Sequence, residues 1–87
     1  MPNDYDFKID DEKINSNYLK AKVFYENKIP VHLLKTDREW YNGIILELTH
    51  DFFIIDERKK GRRMVFFIEL WEIDEMNLDN EKKEEMI

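Results

Sequence analysis

Downstream of Lys28 the apolar positions recur every second residue in short bursts. KIPVHLLK puts Ile29, Val31 and Leu33 on one face and Pro30 and His32 on the other. A period of two is the signature of a strand. Pro30 has no N–H to give to a ladder, so it belongs at a strand start or an edge. KTDRE then reads as a turn and WYNGIILELT as a second strand with Gly43 in its interior. A glycine there marks a bulge, a bend, or a close approach by another element. After the turn THD, DFFIID is a third strand. ERKKGRR is the next turn, where Gly61 is free to take positive φ. RMVFFI is a fourth strand, and LWEID a short fifth after a tight connection around Glu69.

Upstream the period changes. Ile14, Tyr18, Ala21 and Tyr25 are spaced four, three and four apart, one face of an α-helix. Leu19 and Val23 widen that stripe. Asp10 or Asp11 is placed to cap its start and Asn27 to stop it. Asn15, Ser16 and Asn17 favour caps over helix interiors and weaken its first half. FFII and VFFI are apolar on both faces, which suits a small closed or strongly bent barrel better than an open sheet. The expected fold is mainly β: a small five-stranded barrel preceded by an N-terminal α-helix. Residues 1–11 read as a flexible acidic lead-in, 12–74 as helix plus barrel, and 75–87 as a charged tail in which Met76, Leu78 and Met86 build no stripe.

The order of one helix and five short strands resembles the Sm-like proteins, small SH3-like barrels that assemble into rings and bind RNA. The resemblance spans about residues 14–74 and is carried by REWYNGIILELTHDFFIIDE. There Tyr41, Gly43, Ile45 and Leu48 stand at the family's motif spacing. FFIELWEID looks like its fourth strand, turn and fifth strand. The family's pocket aspartate and asparagine fall on Thr49 and Phe53, and its arginine–glycine pair falls near Phe67 and Ile68. Asp51 replaces the aspartate only if the loop is shifted. The resemblance thus implies the scaffold and ring assembly, with the RNA-pocket residues largely missing.

Composition narrows the field. The 87 residues make one domain at most, and 43% hydrophobic residues suffice for a core. There is no cysteine, which excludes disulfides and thiolate zinc sites. MPNDYDFKIDDEK lacks an apolar leader, and no apolar run approaches the ~20 residues of a membrane span. The sequence therefore reads as cytoplasmic with no membrane partner. A net charge of -6 speaks against coating nucleic acid by bulk charge, so any such contact has to be local.

The local candidate is the basic tip. Arg58, Lys59, Lys60, Arg62 and Arg63 fall within seven residues and suit one phosphate backbone. The bland reading is a solvated turn whose charges discourage edge pairing, and a third has the tip meeting the acidic tail. Trp40, Tyr41, Phe52, Phe53, Phe66, Phe67 and Trp71 offer stacking surfaces, although most have to be core; Trp40 and Trp71 sit beside charges at strand ends. The two histidines, His32 and His50, lack the third group and pocket of an acid–base site, even with Asp51 beside His50. The acidic ends read as solvating segments, with a nucleic-acid mimic or docking tail as the sharper reading. With two glycines and no nucleophile elbow, dinucleotide fingerprint or metal spacing, the chain reads as a non-enzyme without cofactor or metal. The leading expectation is RNA or single-stranded nucleic-acid binding through the basic tip of an oligomeric barrel. The alternative is a protein-interaction barrel that assembles through edge strands, with Phe53, Ile55, Val65 and Phe67 at the contact between copies.

Overall fold

The computed structural model describes residues 9–76. The readings of the acidic lead-in before Ile9 and of the charged tail after Met76 fall outside them. Helix α1 is Asp11–Glu26, and the strands are β1 (Val31–Lys35), β2 (Trp40–Leu48), β3 (Phe52–Glu57), β4 (Gly61–Phe66) and β5 (Leu70–Glu75). A single 3₁₀ turn, Phe67–Glu69, joins β4 to β5. The fold is mainly β, as its sequence periods predict. β5 runs one residue past the expected boundary, and Met76 is buried with its N–H on Pro30 O at 2.9 Å, so these two positions of the expected tail belong to the folded domain.

All the strands are antiparallel in one sheet of order β4-β3-β2-β1-β5. Among the described residues β4 and β5 are its edges and do not pair with each other, so the expected barrel stays open. The sheet nevertheless curls. Val65 of one edge strand and Ile73 of the other, both 0% exposed, lie in one core with Val31, Leu33, Ile45, Phe53, Ile55 and Leu70. Alternation along β1 to β4 sends these side chains inward and their neighbours outward; on β5 a register shift opposite Leu34 and Lys35 lets Leu70 and Ile73, three apart, both turn inward. Gly43 is where β3 comes closest. A Cβ there would lie 2.0 Å from Asp56 O, so only glycine fits.

The helix starts at Asp10, whose carboxylate accepts the Lys13 N–H at 2.8 Å. It ends at Asn27 with Lys28 in the left-handed region at φ 54°. Lys28 N–H then donates to Tyr25 O and Ile29 N–H to Phe24 O. That pair of bonds is a Schellman ending. The buried line is Ile14, Asn17, Tyr18, Ala21 and Phe24. This corrects the sequence stripe: Leu19 (53% exposed) and Val23 (51%) face water, and Tyr25 is exposed too. Asn17 explains the rotation. Its buried amide donates to Leu70 O (3.0 Å) and Trp71 O (3.3 Å), drawing a polar residue into the helix–sheet contact. Lys13 and Lys20 reach Glu72 and Asp74 on β5 beside it. No helix among the described residues is long and apolar enough to cross a membrane.

Candidate nucleic-acid interface

The basic tip is a turn organised from below by an acid. Glu57, the last residue of β3, is only 5% exposed. Its carboxylate accepts the backbone N–H groups of Asn42 (3.0 Å), Lys59 (2.9 Å) and Lys60 (2.9 Å). Burial opposes the charge, but these three donors and the Lys60 ammonium outweigh it and hold the carboxyl below its usual range. Gly61, at φ 78°, closes the turn where an L side chain would be strained. The Arg58 N–H bonds Asn42 O at 2.8 Å, tying the turn to β2. The conformation that presents Arg58, Lys59 and Lys60 is therefore fixed by backbone bonds, leaving their side chains to face outward.

Trp40 lies across from this turn at the start of β2. It is 51% exposed, and its ring stacks on His32 with centroids 4.2 Å apart and planes 13° off parallel. His32 Nδ1 is in turn hydrogen-bonded to the Asn42 side chain. Trp40, Asn42, Glu57, Arg58, Lys59 and Lys60 together line an open groove of about 640 Å³. Lys60 is partly committed elsewhere: its ammonium pairs with Glu39 at 3.0 Å and sits 4.9 Å from the Tyr41 ring centroid. The Lys60 hydrogen bond holds the Glu39 carboxyl below its ordinary range. Arg58 also donates to Met76 Sδ at 3.5 Å, and Lys59 is exposed.

The five cations expected to act together are divided. Arg58, Lys59 and Lys60 belong to the groove, whereas Arg62 and Arg63 are on β4 and line a shallower depression with Glu47, Phe52, Ile54 and Met64. Arg62 stands opposite Asp56 in the β3–β4 backbone register.

The residues expected at a contact between copies are elsewhere. Phe53, Ile55 and Val65 are 0% exposed and Phe67 is 1% exposed. They point into the core of their own chain, because strand alternation puts every second residue of β3 and β4 inward. The exposed apolar side chains of this region are their neighbours, Met64, Phe66 and Ile68. The edges are also partly capped. Phe66 N–H donates to Glu69 Oε2 at 2.9 Å on β4, and Asn17 covers two carbonyls of β5.

The positions matching the Sm-like pocket have structural work. Thr49 Oγ1 accepts the Asp51 and Phe52 N–H groups and shapes the β2–β3 turn; Phe53 and Phe67 are core. His50, in that turn, stacks on Tyr18 of the helix at 5.0 Å. The roles of Glu57 and Asn42 were missed by sequence reasoning. The available signal was an acid directly before a run of cations, which resembles ordinary surface charge. No protein-family model matches the chain, and no curated protein matches it.

Proposed function

We propose that this chain is a non-catalytic, cytoplasmic binding module that takes single-stranded nucleic acid, RNA in the first instance, in the groove between Trp40 and the basic turn. One observation carries the reading: a half-exposed indole stands beside a turn whose cations are held outward by the buried Glu57 carboxylate. An exposed aromatic face stacks any base, and lysine and arginine beside it engage the phosphates. The turn's own N–H groups at Lys59 and Lys60 are taken by Glu57, so phosphate contact falls to the side chains. Single strands are favoured because a paired base has no free face for Trp40.

The test is fluorescence anisotropy with short labelled single-stranded RNA. Three groove cations give a log–log salt slope of about −2 at ~0.7 per phosphate engaged. Trp40→Ala weakens binding by about 1–3 kcal/mol, and a Lys59→Gln, Arg58→Gln double variant flattens the slope. Absence of binding at low salt ends the proposal.

The runner-up, a homo-oligomeric or protein-binding barrel that uses its edges, rests on β4 and β5 each having a strand on one side only among the described residues. The Glu69 and Asn17 caps put it second, since an added strand has to displace them. Light scattering at micromolar concentration decides it: a defined multimer would promote this reading and a monomer would retire it.

A further inference from the structure

We infer that the bound strand does not end in the groove but continues across the outer face of β3 and β4 to a second aromatic station at Phe52 and Phe66. This rests on the nucleic-acid reading above and extends it. Trp40 and Asn42 alternate with buried Tyr41 and Gly43, so they face outward from the sheet. The ladder carries the same face onward: Ile44 pairs with Asp56 and Asp56 with Arg62, then Ile54 with Met64, then Phe52 with Phe66. The groove and the Phe52–Phe66 pair therefore lie on one continuous surface, with the basic turn and Arg62 between them.

That surface is unusual in what it leaves in water. Phe66 is 41% exposed and Met64 47%. The Phe52 and Phe66 rings lie 5.5 Å apart at 56°, a tilted pair on the sheet surface. Clustered exposed apolar side chains mark a binding surface. The charges around it select the occupant. Arg62 and Arg63 line the adjoining depression, and no ion pair ties Lys59, Arg62 or Arg63 among the described residues. Aromatic faces with cations beside them are the chemistry of a single-strand path. Asp56 and Glu47 flank the path and keep its net charge low, so stacking contributes a larger share of binding than on a uniformly basic surface.

The spacing sets the length. From the Trp40 row to the Phe66 row is four steps of two residues, roughly 26 Å at about 3.3 Å per residue. At about 3.4 Å per stacked nucleotide that spans some eight nucleotides. A tetranucleotide reaches one station only, and a dodecanucleotide reaches both.

The test compares labelled oligouridylates of 4 and 12 nucleotides on the full chain. The 12-mer is expected to bind the unmodified protein more tightly than the 4-mer. Phe66→Ala should weaken the 12-mer about five- to 150-fold and leave the 4-mer unchanged, while Phe66→Tyr restores the 12-mer. Trp40→Ala should weaken both. Phe66 is exposed, so its truncation leaves the core of Phe53, Val65 and Phe67 in place, which a thermal melt verifies. Equal affinity of the two oligomers, or a Phe66→Ala protein with full 12-mer affinity, overturns the path while leaving the Trp40 groove standing. A Phe66→Ala change in light-scattering mass without change in affinity assigns the patch to protein contact and also overturns it. If the unmodified protein binds neither oligomer, both proposals fall.

Discussion

Replacing Glu57 with glutamine tests whether one carboxylate holds the basic turn. The swap keeps the shape and removes one acceptor oxygen. Glu57 Oε1 serves the Lys59 and Lys60 N–H groups and Oε2 serves Asn42. An amide has only one oxygen, so at least one backbone N–H faces another donor. Leaving such a group unpaired costs about 1–3 kcal/mol. An 87-residue domain has about 4–13 kcal/mol of stability in total. At about 4–8 °C per kcal/mol, Tm should fall by roughly 4–24 °C at pH 7. The charge adds a pH signature. Since the folded carboxyl lies below its usual range, its stabilisation is complete above the unfolded value of about 4.3 and disappears as pH falls through the folded one. The gap between the wild type and Glu57→Gln should therefore narrow in acid. Thermal melts followed by circular dichroism from pH 7 down to pH 3 measure both effects. A variant within 0.5 kcal/mol of wild type at pH 7, or a gap as wide at pH 3 as at pH 7, refutes the assigned role.

Other substitutions sort core, cap and surface. Phe53→Lys, at a fully buried position, should unfold the chain rather than split an assembly, with loss of the folded circular dichroism spectrum at 25 °C. Asn17→Ala strands the Leu70 and Trp71 carbonyls and should cost about 1–3 kcal/mol in urea titration. Glu72→Gln, by contrast, removes only half-exposed ion pairs and should cost less than about 1 kcal/mol, less still in high salt. Lys28→Gly relieves a left-handed residue at the helix end and should raise stability by about 1 kcal/mol, read as a higher urea midpoint at unchanged slope.

Most of the sheet was legible because its side chains obey a local rule. Val31 and Leu33, or Phe53 and Ile55, alternate with outward residues whatever their distant partners are. Asp10 and Asn27 announce the helix ends through chemistry contained in the next few residues. The helix face was misjudged because Asn17 is buried by carbonyls of β5, and nothing near it in the chain reveals that partner. The assignment of Phe53, Ile55, Val65 and Phe67 to an outer contact failed for a related reason. Two-sided apolar strands state that both faces are covered or sticky, but not which residues take the inner one. The cations of the tip were plain to see. Their division between groove and β4, and the approach of Trp40, depend on how β2 and β3 pair around Gly43.

The place of β1 between β2 and β5 has a consequence for synthesis. Its partner on one side is made next, but its partner on the other is the last of the described strands to leave the ribosome. Until Leu70–Glu75 emerges, Val31 and Leu33 lack half their cover and the helix lacks the carbonyls that seat Asn17. A nascent chain halted after β4 should stay protease-sensitive, and the arrival of β5 should bring protection to the whole described domain in one step.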